Sequence, residues 1–141
     1  MRRGVRMAIA VLAITLSSCL APQNSYMVGV DMQSWSRAES IVYDNGDTLS
    51  LRNLNIAIRY NDNCKEVLLP LKIAITTPDE RVFVDTLALQ LQHPATALTV
   101  ATTESLPYRT KVVLNQKGAY KFVFEPLVAI RGVEAIGIEL K

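Results

Sequence analysis

Chemistry-bearing residues are scarce in this chain of 141 residues: it has one histidine, two cysteines and one tryptophan. A single histidine leaves His93 as the one centre for a Ser-His-Asp relay. Its Gln-His-Pro surroundings offer no orienting partner. A Gly-rich phosphate loop, an HExxH pair, a Cys-x-x-Cys pair and a G-x-S-x-G elbow are all missing. No charge of one sign dominates either. Of 15 basic residues, Arg2, Arg3 and Arg6 crowd the first six positions, and the remaining 12 face 13 acidic ones. A near-neutral domain has no electrostatic footprint for nucleic acid. Long hydrophobic runs are also lacking. The apolar stretch 7–16 has ten residues, about 15 Å as a helix and half of a ~30 Å hydrocarbon core.

What is present begins with an address. Residues 1–6 form a basic segment, 7–16 an apolar one, and Ser17-Ser18 ends it abruptly. This is the pattern of a signal peptide, 1–18, rather than a buried helix or a membrane span. Leu16-Ser17-Ser18-Cys19 resembles the lipobox of bacterial lipoproteins. That resemblance implies cleavage before Cys19 and acylation of its thiol and new amine. Two or more acyl chains at about 0.8 kcal/mol per buried methylene anchor a protein stably. Residues 19–25 then read as a lipid-anchored tether. Cys64 remains as the one free thiol, so an internal disulfide is excluded. It reads as a buried or loop thiol without a role.

Half of the residues are hydrophobic and 20% charged, the balance of one folded domain. From residue 26 to 141 the apolar period is two. The rows are Leu54-Ile56-Ile58-Tyr60, Val67-Leu69-Leu71-Ile73-Ile75, Leu87-Leu89-Leu91, Tyr120-Phe122-Phe124 and Ile136-Ile138-Leu140. Breakers separate them. Asp44-Asn45-Gly46-Asp47 reads as a hairpin turn, better than as a calcium loop, because the downstream ligands are missing. Thr77-Pro78-Asp79-Glu80 and Gln116-Lys117-Gly118 read as turns, and Asn61-Asp62-Asn63 as a polar loop. Residues 92–105 read as a long loop with one weak strand near 97–101. Pro70 within its run predicts an edge strand or a bulge. The apolar phase changes between Leu49-Leu51 and Leu54, which predicts a β-bulge near Arg52-Asn53 or two strands with a tight joint. Seven to nine strands without a helix past residue 20 predict an all-β antiparallel sandwich, jelly-roll or immunoglobulin-like, with a closed barrel as the alternative.

Trp35 reads as a core residue. The competing reading pairs it with Tyr43 as a stacking platform for sugar rings, which would make the chain a carbohydrate-binding lipoprotein. Tyr120, two residues after Gly118, resembles the corner tyrosine of sandwich folds, whose hydroxyl caps a turn. An enzyme reading needs a pocket joining His93 to a carboxylate such as Asp79 or Glu104.

Several segments in serial order resemble the gliding-motility lipoprotein family GldH of Bacteroidota. They are Trp35 with Ile41-Val42-Tyr43-Asp44, Ile58-Arg59-Tyr60-Asn61, Leu69-Pro70-Leu71-Lys72-Ile73, and Thr77-Pro78-Asp79 with Asp85-Thr86. Two more follow: Gly118-Ala119-Tyr120-Lys121-Phe122 and Gly132-Val133-Glu134-Ala135-Ile136-Gly137-Ile138-Glu139. Leu127-Val128-Ala129-Ile130-Arg131 departs from the family's Met-Arg pair, and the Thr- and Ala-rich stretch 95–105 replaces its Gly-Trp-rich segment. The resemblance implies a non-enzymatic lipoprotein of the motility and type IX secretion machinery. It would be anchored at Cys19 in the outer membrane, facing the periplasm, with other envelope proteins as partners. No catalytic, cofactor or metal residues and no small-molecule substrate come with it. Its partner contact is expected at the loop 92–105 or at a sheet edge near Pro70.

Overall fold

Alternation at period two places one row of side chains on each face of a strand, and the strands follow the apolar rows closely. The computed structural model describes residues 24–94 and 101–141. The signal peptide 1–18, Cys19, the tether up to residue 23 and the stretch 95–100 lie outside the described residues. Eight strands are found among the described residues: β1 Ser25–Gly29, β2 Glu39–Asn45, β3 Arg52–Tyr60, β4 Leu68–Thr76, β5 Val82–Gln90, β6 Thr102–Val112, β7 Gly118–Pro126 and β8 Val133–Leu140. No described helix is long and apolar enough to cross a membrane.

Two four-stranded antiparallel sheets form, in the orders β1-β8-β3-β6 and β2-β7-β4-β5. β1 pairs with β8, β2 with β7, β3 with β6 and β4 with β5. That nested pairing is one long hairpin rolled onto itself, with β3–β8 and β4–β7 pairing closing each sheet. Eight strands in this double-sheet order make a jelly roll rather than an immunoglobulin arrangement. The inner rows are those of the sequence pattern: Leu54, Ile56, Ile58 and Tyr60 face Leu69, Leu71 and Ile73, with Tyr120, Phe122, Phe124, Ile136 and Ile138 beside them, all buried.

Other expectations also hold. The ladder between β3 and β6 shifts register between Arg52 and Leu54 and again between Leu54 and Asn55, so the bulge lies where the phase changes. The Tyr120 hydroxyl accepts from the Gln116 N–H at 3.2 Å and caps the turn before its strand. Trp35 is 1% exposed. It exchanges two backbone hydrogen bonds with Ile130, and its indole N–H donates to the Arg37 carbonyl at 2.8 Å.

Four expectations are corrected. Asp44–Asp47 is not a hairpin turn, because β2 and β3 belong to different sheets and the segment crosses between layers. Asp47 Oδ1 accepts from the Leu49 and Ser50 N–H groups, both at 3.0 Å, and folds that crossing. Leu49 and Leu51 belong to no strand and are 87% and 67% exposed. Pro70 is not on an edge, since β4 lies between β7 and β5. Its carbonyl accepts from Leu127 N–H at 3.1 Å, just past the end of the β4–β7 ladder. A strand residue points its N and O to the same side, so the missing N–H faces Leu127, and the proline forfeits only the reciprocal bond of that pair, where the β4–β7 ladder ends. Finally, residues 102–105 are strand, not loop: β6 runs through them with Pro107 on an outer edge, where a missing N–H is harmless.

Candidate functional site

The rolled hairpin gives the sandwich two distinct ends. The end where Asn24 enters carries the 46–51 crossing, the 77–81 hairpin and the loop 113–117. The other carries the loops 61–67 and 127–132 and the residues after β5. Each end has a polar centre, and the open side between β5 and β6 has a third.

At the entry end, Arg52 gathers three partners. Its guanidinium donates to the Tyr43 hydroxyl at 2.8 Å, the Asn45 amide oxygen at 2.6 Å and the Asp47 carbonyl at 2.8 Å. Asn45 is buried, and its amide nitrogen donates to the carbonyls of Leu114 and Gln116, both at 2.9 Å. Two loops are thereby tied together. The Arg52 Nε is buried with no hydrogen-bond partner among the described residues. The Asp47 carboxyl is held down to about 2, first by the Ser50 hydroxyl, then by the two backbone N–H groups.

At the far end a cavity of about 470 Å³ is lined by residues including Tyr60, Asn61, Lys65 and His93. The Tyr60 hydroxyl donates to Glu104 and accepts from the His93 N–H at 3.1 Å. Burial, and then the Glu104 carboxylate, push Tyr60 up to about 12. His93 therefore lies near Glu104, as the enzyme reading requires, but the two meet through a tyrosine and a backbone N–H. The imidazole points elsewhere: Nε2 donates to the Glu66 carbonyl at 2.5 Å. Asp79 is in the hairpin at the opposite end, bonded to Thr77 and Gln116. Cys64 is buried, its thiol 3.5 Å from Glu66 Oε2. Burial, and then that carboxylate, push it up to about 11. At neutral pH it is a protonated thiol, the unreactive form. The ring of His93 packs edge-on against Tyr60, with centroids 5.1 Å apart. These groups hold one another in place. Among the described residues no cluster of three His, Cys, Asp or Glu side chains is spaced to hold a metal ion.

The sugar-stacking platform does not form, since the rings of Trp35 and Tyr43 are both buried.

The third centre joins the two sheets along their open side. Asp85 of β5 accepts from the Tyr108 hydroxyl of β6 at 2.5 Å and pairs with Arg109. Both bonds end on Oδ2. Tyr108, and next Arg109, hold the Asp85 carboxyl below the usual carboxylate range. Burial and Asp85 push Tyr108 up to about 12. Beside this latch an apolar cavity of about 330 Å³ opens toward Phe83. On the same strand Val82, Phe83 and Val84 are 60%, 57% and 55% exposed. In the sequence Glu104 stands out only as a partner for His93 and Asp85 only within the family resemblance, and their bonds to Tyr60, Tyr108 and Arg109 are not foreseen there. A charged residue at a position the alternation assigns to the inner row was the available signal, since inward charges mark edge strands.

No family model and no curated protein matches the chain.

Proposed function

We propose that the chain is a non-enzymatic envelope lipoprotein, anchored through Cys19 and working as a structural or protein-interaction module of a gliding-motility and type IX secretion apparatus. The observation that carries the interaction reading is β5. It is an outer strand with three consecutive exposed apolar residues, the kind of surface that soluble proteins blunt unless it is used. The motility assignment rests on the serial resemblance to the GldH family, whose motif glycines sit where a side chain would strike backbone or strain φ. A Cβ at Gly137 would lie 1.9 Å from the Tyr26 carbonyl oxygen, and Gly118 has φ +123°.

Asn24 accepts from the Leu140 N–H at 2.9 Å, so the chain enters beside the end of β8. With lipid on Cys19, the few residues before Ser25 reach roughly 20 Å at full extension. The end bearing Arg52 and the 77–81 hairpin is then the one kept close to the bilayer. The His93 cavity lies a β3 length away, about 30 Å. Partners are accordingly other envelope proteins at the periplasmic face of the outer membrane. Deleting the gene is expected to impair surface spreading or the export of secreted cargo. Wild-type behaviour in both assays contradicts the proposal.

A further inference from the structure

The four outer strands of the sandwich are β1, β6, β2 and β5. β1 has five residues, β2 carries Glu39 and Asp44, and β6 carries Glu104, Pro107, Arg109 and Lys111. Short length, charge and proline are the usual defences of an edge. β5 has nine residues, no proline and one charge, Asp85. Its backbone direction follows from two bonds. The Arg81 carbonyl accepts from Thr77, and the Leu91 N–H donates to Val67, so odd-numbered residues point toward β4. The ladder with β4 is regular throughout. Val82, Val84, Thr86, Ala88 and Gln90 therefore offer their N–H and C=O groups to the open side.

We propose that this edge pairs with the β5 edge of a second copy of the chain, antiparallel, about a twofold axis at Phe83. The segment Arg81-Val82-Phe83-Val84-Asp85 is complementary to its own reverse: a cation, three apolar residues, an anion. In that register Phe83 faces Phe83, Val82 faces Val84 and Arg81 faces Asp85. Val82 and Val84 then form the hydrogen-bonded pairs, and the odd residues form the close, non-bonded pairs. Centring on Val84 would set Phe83 against Asp85. Centring between Val84 and Thr86 would set Asp85 against Asp85. Only the first register matches apolar with apolar and cation with anion. The charges are available for it. Both bonds to Asp85 end on Oδ2, and the Arg81 contact with Asp79 is made by Nε at 3.1 Å. Oδ1 of one and the terminal nitrogens of the other remain to meet across the axis. Phe83, which borders the 330 Å³ cavity, gains an aromatic partner there. The axis lies at the end where Asn24 enters, so two tethers start from the middle of the pair. The pairing itself does not depend on the anchor.

Disulfide trapping in the full-length chain in its own membrane tests the register. A non-bonded antiparallel pair has Cα atoms about 4.5 Å apart, within the range a disulfide spans. Under a mild oxidant Phe83→Cys is expected to give a cross-linked dimer, and Val84→Cys and Thr86→Cys much less of it. Equal trapping at all three positions, stronger trapping at 84 or 86, or none at 83 overturns the proposal. A second measurement leaves Phe83 intact. The detergent-solubilised native chain should sediment as a dimer, and Arg81→Glu, which sets like charges opposite each other twice, should raise its dissociation constant on the order of tenfold. A native chain that stays monomeric well above micromolar concentration, or an Arg81→Glu variant that dimerises equally well, also refutes it.

Discussion

Phe122→Ala is expected to lower the stability of the folded chain by about 3–5 kcal/mol. Phe122 is 1% exposed in the middle of β7 and sits between Ile41 of β2 and Ile75 of β4 in the cross-strand register. It belongs to an inner row with Tyr120 and Phe124, so truncation leaves a void that three strands would have to collapse around. The loss is a large share of the ~5–15 kcal/mol that holds a domain together. It should appear as a fall in melting temperature on the order of 10–20 °C. Circular dichroism of the solubilised chain reads it directly. A near-neutral result would mean that the two faces of β7 are exchanged, since a one-residue slip swaps them.

Gly132→Ala is expected to be nearly as damaging for a different reason. Gly132 has φ +87° in the loop before β8. Its N–H donates to the Met32 carbonyl at 2.9 Å, and its own carbonyl accepts from Asn61 at 2.8 Å. An added Cβ would lie 2.3 Å from the Cys64 nitrogen and 2.7 Å from the Asn63 carbonyl carbon. Those are backbone atoms of the 61–67 loop, which cannot give way as a side-chain tip can. Backbone strain and overpacking together cost about 2–5 kcal/mol. Gly46→Ala is the control, because a Cβ there meets nothing within 4 Å. Denaturant midpoints of the two variants should separate widely. A small shift for Gly132→Ala would show that the loops 61–67 and 127–132 do not depend on their close contact.

The sandwich was legible wherever a strand buries one full row. β3, β4, β7 and β8 are the inner strands of the two sheets, and each buries an alternating row of large apolar residues, with the small Ala57 and Gly137 buried between theirs. The bulge at Arg52 and the cap on Tyr120 were legible too, because both follow from local chemistry. β6 was not. As an outer strand it buries little, and Thr102, Glu104, Ser105, Pro107 and Lys111 blur its period. The Asp44–Asp47 segment was misread because the same turn residues serve a hairpin and a crossing between sheets. Only the nested pairing of the whole chain distinguishes them. Pro70 was misread because its missing donor falls at the last step of the β4–β7 ladder, where one lost bond is tolerated inside a sheet, a fact of register and not of composition. The polar centres were the least legible. Tyr60 meets Glu104 across 44 residues, and Asp85 meets Tyr108 across 23. No local pattern announces such meetings.

The proposed lipid anchor at Cys19 is tested most directly by labelling. Cells fed a fatty-acid analogue should incorporate it into the native chain and into a Cys64→Ser variant. A Cys19→Ser variant should carry none and should accumulate uncleaved or leave the membrane fraction. Label retained on Cys19→Ser, or a native chain that never takes up label, would contradict the account.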